Sequence, residues 1–262
     1  MGITNLITGG LGFIGSNLSQ RLLEKNEKVI IIDNMSSGSK ENISRLILNE
    51  KFTFINHDIL NPIELKDIDK IWHLASPASP NKYQKSPIET SKINFIGSIN
   101  ALNLAKENKA KILFTSSSEC YGHSIKFPQK ESEGGFLSTT SKRSCYSQSK
   151  RIAETLFFDY ERVYDLEVKV TRLFNIYGPN MDIKDGRVIS NFFYQALYKK
   201  PFTIYGNGNQ QRSFCFIDDA IELMILIMES NLKGIINIGN NREISINNLA
   251  YKINKIVGFN NK

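Results

Sequence analysis

Apolar residues fall into short runs, and longer amphipathic stretches separate them. The runs predict strands at Ile3–Thr8, Lys28–Asp33, Phe52–Asn56, Lys70–Leu74, Lys111–Ser116 and Val168–Arg172. The amphipathic stretches predict helices at Phe13–Lys25, Pro87–Asn108 and Ser144–Tyr164. Beyond residue 172 the order loosens, with loops around Gly178–Gly186 and Tyr205–Gln211. Helices at Arg187–Lys199, Asp218–Ser230 and Ile246–Val257 and a strand at Ile235–Ile238 complete the reading. Alternating strands and helices predict an α/β fold: a doubly wound parallel sheet with a ligand crevice at the carboxyl ends of its strands.

Chemistry first appears at Thr8–Gly15 (TGGLGFIG), where a strand gives way to a helix. Gly10, Gly12 and Gly15 satisfy G-x-G-x-x-G, and Gly9, Gly12 and Gly15 satisfy G-x-x-G-x-x-G. Missing side chains let the turn tighten and let backbone approach a pyrophosphate, and the helix N-terminus adds free N–H groups and partial positive charge. The second strand ends in Asp33, at the separation expected for an acid that accepts hydrogen bonds from an adenosine ribose and repels a 2′-phosphate. Strand, turn, helix, strand and acid in this order predict a Rossmann domain that binds NAD in preference to NADP. Residues 1–174 are assigned to it, and residues 175–262 to a small C-terminal substrate-binding lobe interleaved with the sheet.

Tyr146 and Lys150 stand four apart at the start of a predicted helix, so both emerge on one face. A nearby ammonium favours tyrosinate, which would let Tyr146 take a proton from a sugar hydroxyl as hydride leaves the same carbon. Ser116–Glu119 ends a strand and offers a hydroxyl to the reacting oxygen.

Composition narrows the setting. The 262 residues are 41% hydrophobic and 23% charged, an ordinary globular balance, and no apolar stretch is long enough to predict a membrane span. No basic patch precedes an apolar run at the N-terminus, so no signal peptide is expected. Cys120, Cys145 and Cys215 are too scattered for a disulfide framework or a zinc site and predict reduced thiols in a cytoplasmic protein. The net charge of +7 is dispersed, which predicts no nucleic-acid binding. His57, His73 and His123 lack metal-ligand spacing; His73 and Trp72 read as local packing, Asp218 and Asp219 as a helix cap, and Glu131 stays open between a sugar-side and a solvent position.

The glycine turn, Asp33, His73–Ala75, Ser116–Gly122 and the Tyr146/Lys150 pair resemble the extended short-chain dehydrogenase/reductases that process nucleotide sugars. Within them the chain is most similar to the UDP-glucuronate decarboxylases. The similarity is carried by residues 73–80 (HLASPASP), 115–122 (TSSSECYG), 150–154 (KRIAE), 174–179 (FNIYGP), 185–192 (DGRVISNF) and 212–219 (RSFCFIDD). The resemblance implies a catalytic set of Ser117, Tyr146 and Lys150, with Ser118 and Glu119 at the reacting carbons and Arg212 near the sugar diphosphate. It implies NAD contacts at Gly9, Gly12, Phe13 and Ile14, and at Asp33, Asn34, Ser37 and Gly38. Further contacts are implied at Asp58, Ile59, Leu74, Ser76, Tyr146, Lys150 and Arg187, and substrate contacts at Lys92, Asn175 and Arg212. The implied chemistry is oxidation at C4 of UDP-glucuronate, loss of carbon dioxide from the β-keto acid and reduction to UDP-xylose, with no metal. The resemblance also implies a homodimer formed through Pro87–Asn108 and Ser144–Tyr164, and a C-terminal segment that continues past this sequence, so that the lobe is expected to be shortened.

Three alternatives remain at this stage. A 4,6-dehydratase would carry an aspartate where Ser118 stands, and a 4-epimerase would usually lack the acid at Glu119. A catalytically idle NAD-binding regulatory protein has no need of a tyrosinate base. The family's usual residues are replaced at Ser138–Ser141 and between Tyr146 and Lys150 (YSQSK), both on the sugar side.

Overall fold

A computed structural model describes residues 2–123 and 127–258. Strands β1 (Thr4–Thr8), β2 (Lys28–Asp33), β3 (Phe52–Asn56), β4 (Lys70–His73), β5 (Lys111–Ser117) and β6 (Val168–Leu173) alternate with helices α1 (Phe13–Glu24), α2 (Pro80–Lys85), α3 (Pro87–Lys92), α4 (Ser98–Asn108) and α5 (Ser144–Tyr164). The rest of the chain carries β7 (Ile176–Tyr177), α6 (Val188–Leu197), β8 (Gln211–Ser213), β9 (Cys215–Phe216), α7 (Ile217–Glu229), β10 (Ile235–Ile238), β11 (Glu243–Ser245) and α8 (Ile246–Val257).

Seven strands form one sheet in the order β10-β6-β5-β4-β1-β2-β3, and every pairing is parallel. Parallel strands need helical crossovers, which cover both faces, so the strands are apolar on both sides. Ile7, Ile31, Trp72 and Leu113 pack on the face of α1 and α7. Leu6, Ile30, Ile71, Ile112 and Phe114 pack on the face of α4 and α5. A third cluster, with Phe192, Leu249 and Ile253, joins α6 to α8 in the C-terminal lobe. The strand order reverses between β1 and β4, and that switch point opens a crevice at their carboxyl ends. The chain returns from the lobe to add β10 beside β6, so residues beyond 174 complete the sheet.

The predicted helix over Pro87–Asn108 is interrupted by a π-helical turn at Ile93–Gly97, where a Cβ on Gly97 would stand 3.0 Å from Ile59 Cγ1. Helix α2 was not visible in the pattern. It is specified by its start: Ser79 Oγ accepts from Lys82 N at 3.3 Å, and Pro80 occupies the first turn. Asp218 and Asp219 do not cap α7 as expected. Phe216 holds the cap position without a side-chain bond, and the two carboxylates lie in the first turn, where the helix dipole favours them. No helix among the described residues is long and apolar enough to cross a membrane.

Candidate active site

The glycine turn after β1 is shaped by close approach. Gly9 has φ +72°, and a Cβ there would lie 2.8 Å from Ala75 Cα at the end of β4. A Cβ on Gly15 would lie 2.4 Å from Gly9 O, so helix and strand could not pack as they do. Thr8 Oγ1 fastens the two strand ends, accepting from Leu74 N and Ala75 N at 3.1 Å each and bonding His73 Nδ1 at 2.9 Å. His73 Nε2 meets Ser98 Oγ at 3.1 Å, and burial, with the Lys150 charge, pushes its pKa down to about 3. His73 is therefore a neutral strand-end fastener, as its sequence position predicts.

A cleft of about 410 Å³ opens beside this turn, within the roughly 300–1,000 Å³ range of small-molecule sites. Gly12 is the N-cap of α1, with no side-chain cap bond, and it lines the cleft. The helix thus presents its first-turn N–H groups without a side chain in front of them, as a pyrophosphate requires. Asp33 stands at the far end, where its two oxygens accept from Met35 N (2.8 Å) and Leu11 N (3.1 Å). Burial raises its pKa, and these bonds oppose the rise. The buried Ser76 Oγ, also on the cleft wall, has no hydrogen-bond partner among the described residues. A bare helix terminus, an acid at ribose distance and an orphaned hydroxyl fit a dinucleotide.

The opposite end holds the reactive groups. Ser117 ends β5, while Tyr146 and Lys150 lie one turn apart on α5. The Lys150 ammonium donates to Thr115 O at 2.8 Å and lies 4.6 Å from the Phe114 ring centroid. Burial lowers its pKa from 10.5 to about 7. Burial pushes the Tyr146 phenol above the ordinary range, and a hydrogen bond with Ser117 pulls the other way. Lys150 Nζ lies 5.9 Å from the tyrosine ring centroid while it donates to the Thr115 carbonyl.

Glu119 follows in a short helical turn, and burial raises its carboxyl pKa. The Tyr83 hydroxyl donates to it at 3.5 Å, and Tyr83 stacks on Tyr146 with centroids 4.9 Å apart and planes 8° apart. Arg143 Nη1 lies 3.8 Å from Glu119 Oε1. Below them, Glu154 accepts from Arg172 Nε (2.9 Å) and Nη2 (2.7 Å) and from Ser116 Oγ (2.5 Å).

The cleft brings together Ser117, Ser118, Glu119, Tyr146, Lys150 and Arg212. It also gathers Gly9, Gly12, Phe13, Ile14, Asp33, Asn34, Ser37, Ile59, Leu74, Ser76, Asn175 and Arg187. Three expected contacts lie off its wall. Lys92 is half exposed and pairs with Glu89 at 3.0 Å. Gly38 packs on Leu11, where a Cβ would stand 2.6 Å from Leu11 Cβ. Asp58 acts from behind, accepting from the Asn34 amide at 3.0 Å. Glu131 accepts from Asn237 N at 3.0 Å, away from the cleft wall. Tyr83 and Arg143 were missed. Arg143 could have been found, because it precedes Tyr146 by one helical turn; Tyr83 carries no motif. No cluster of three or more His, Cys, Asp or Glu among the described residues could hold a metal ion.

Comparison with known proteins places this geometry. The profile of the NAD dependent epimerase/dehydratase family matches residues 5–239. UDP-glucuronic acid decarboxylase 3 of Arabidopsis thaliana is 47% identical over 254 residues, covering 96% of this chain and 74% of that protein. UDP-glucuronic acid decarboxylase 1 of the same plant is 44% identical over 252 residues, again 96% of this chain, which spans only 58% of that relative's length. The Bacillus cereus UDP-glucuronic acid 4-epimerase, solved with UDP-glucuronic acid and NAD, superposes with a TM-score of 0.86 at 29% identity, covering 99% of this chain and 85% of that one.

Proposed function

We propose, from the premise that this chain belongs to the NAD dependent epimerase/dehydratase family, that it binds NAD and decarboxylates UDP-glucuronate to UDP-xylose. The observation that carries the reading is the strand-end sequence Ser117-Ser118-Glu119 set against Tyr146 and Lys150 in one cleft, in a chain 44–47% identical to decarboxylases.

In this reading the glycine turn and Asp33 hold the dinucleotide, with Asn34 kept in place by Asp58. When bound, NAD supplies a hydride acceptor for the sugar C4, returns that hydride at the end, and adds a nicotinamide charge that favours tyrosinate. Tyr146 takes the proton from the C4 hydroxyl, and Ser117 bonds the same oxygen. Oxidation at C4 makes a β-keto acid. Its C5–C6 bond breaks as carbon dioxide leaves, and the electron pair moves into the C4 carbonyl as an enolate. In this reading Glu119, whose carboxyl burial pushes toward the protonated form, returns a proton to C5. Ser118 is too weak an acid to expel a 6-hydroxyl, which separates this site from a dehydratase. Tyr146 finally returns its proton to the C4 oxygen. Asn175 and Arg212 belong to the substrate side, the latter suited to paired phosphate oxygens.

The same reading divides the chain into a dinucleotide-binding part, residues 1–174, and a sugar-nucleotide lobe, residues 175–262, that lends β10 to the sheet. A homodimer belongs to it too: Ile88, Phe95, Ile96 and Ile152 are exposed on the α3–α4 and α5 surfaces that would pair. Purified protein incubated with UDP-glucuronate is expected to release carbon dioxide and UDP-xylose with no net NADH. Interconversion to UDP-galacturonate without carbon dioxide would mean a 4-epimerase, and NAD binding with no turnover would mean an idle binding protein.

A further inference from the structure

Arg143 occupies a position that folding alone does not favour. It is the N-cap of α5, a 21-residue helix with no acidic residue in its first turn. N-caps favour short polar side chains that accept hydrogen bonds, and a cation there faces the positive end of the helix dipole. The Arg143 side chain makes no capping bond. Local rules are broken in this way at functional sites, where a ligand rather than the fold uses the residue.

Four lysine and arginine side chains line the cleft: Arg143, Lys150, Arg187 and Arg212. Lys150 is buried and donates to Thr115 O. Arg187 is committed to Asp185 by two bonds, at 2.5 and 3.0 Å. Arg212 donates to Gln211 O. Arg143 differs from all three. Its side chain is 59% exposed, and its nearest acid, Glu119, is 3.8 Å away, beyond hydrogen-bonding distance. Its backbone, by contrast, is fixed. Arg143 O accepts from Tyr146 N at 3.0 Å and Ser147 N at 3.1 Å, so the side chain is rooted one turn from the proposed base. It is a cation at the reacting end of the cleft that pairs with Glu119 only at 3.8 Å and keeps an exposed side chain.

We infer that Arg143 is the residue that recognises the sugar carboxylate and selects an acidic over a neutral nucleotide sugar. The inference rests on the proposed function and deepens it. A guanidinium can bond both oxygens of a carboxylate, whereas a 6-hydroxymethyl group offers it only one neutral acceptor. Glu119 stands 3.8 Å away, so Arg143 can take a substrate carboxylate without breaking a hydrogen bond; burial pushes the Glu119 carboxyl up, and the Arg143 charge opposes the rise. Arg143 is a specificity-determining residue in this scheme, and the proton transfers remain with Tyr146.

The test uses the full chain loaded with NAD and made unreactive by Tyr146→Phe, so that binding is read without turnover. Affinities for UDP-glucuronate and UDP-glucose are measured by calorimetry in that parent and with Arg143→Lys or Arg143→Met added. NAD content of each variant checks that the fold survives. In the parent, UDP-glucuronate is expected to bind more tightly. Arg143→Met is expected to weaken UDP-glucuronate by roughly 10- to 100-fold, the range of a hydrogen bond to a charged group, and UDP-glucose by less than about threefold. Arg143→Lys should fall between, because it keeps the charge and loses the fork. Equal weakening of both sugars, or undiminished preference in Arg143→Met, overturns the inference. A parent that shows no preference sinks the glucuronate reading itself, and the inference with it.

Discussion

Replacing Lys150 with Met should make the protein more stable near neutral pH and inactive. The Lys150 side chain is buried, and its pKa falls from 10.5 to about 7, with burial the main cause. In the unfolded chain the group returns to its ordinary value near 10.4. Between pH 7 and 10.5 the unfolded state therefore binds a proton that the native state does not, so native stability rises with pH across that window. As pH falls back through about 7, that benefit is lost. The full difference is on the order of 4–5 kcal/mol, reckoned at about 1.4 kcal/mol per pH unit. Met carries no charge and fills similar volume beside Phe114. It loses the Nζ–Thr115 bond, at about 1 kcal/mol, so the variant should gain a net ~3 kcal/mol at pH 6.5. The gain should shrink steadily toward pH 10. Urea unfolding of the cofactor-free protein at several pH values measures it. Parallel pH profiles for wild type and variant would refute the reasoning, because they would mean that Lys150 keeps its solution pKa inside the fold.

Tyr146→Phe should lose at least ~100-fold in turnover, the low end for a general base, while retaining NAD, measured as absorbance of the purified protein. Asp33→Ala should narrow the preference for NAD over NADP by about tenfold, the worth of one charge-assisted bond, in competitive binding; an unchanged ratio would remove Asp33 from the ribose. Glu154→Gln should destabilise the fold by about 3 kcal/mol, because it strands a buried Arg172 guanidinium whose Nη1 already lacks a partner. A thermal midpoint within error of wild type would show the pair to be dispensable.

The sheet was legible because its code is local. The period and length of apolar runs located all seven strands of the main sheet to within one or two residues, since parallel strands buried on both faces are dominated by apolar residues even where Lys169 and Arg172 interrupt the run. The glycine turn and Asp33 were legible for the same reason: backbone approach to a phosphate constrains residues close in sequence. What stayed hidden depends on chain segments far apart. Tyr83 meets Tyr146 and Glu119 only because α2 folds over the cleft, and its surrounding sequence carries no periodicity to mark it. The two- and three-residue strands β7, β8, β9 and β11 are too short for a pattern and exist only as pairings in the lobe. Lys92 shows the opposite failure, where a matched position in sequence sits on the outer face of α3 beside Glu89.

The pKa pattern also explains why the chemistry of this site needs more than a tyrosine next to a lysine. Burial acts on both groups in the same direction, toward neutrality: the phenol keeps its proton, and the ammonium gives its proton up near pH 7. Burial thus holds both away from the tyrosinate–ammonium state that spacing alone predicts. Positive charge brought into the cleft near the phenol favours phenolate, the form that proton abstraction requires, and further disfavours the ammonium. The pair is thus poised rather than active, and its pH dependence should change on cofactor binding. In the proposed scheme the second charge that matters is negative. In that scheme Arg143 holds the carboxylate, and once C4 has been oxidised the C5–C6 electrons can move into the C4 carbonyl. Selectivity between decarboxylation, epimerisation and dehydration is then decided by what stands at 118, 119 and 143, while the glycine turn, Asp33, Tyr146 and Lys150 serve the oxidation that all three reactions share.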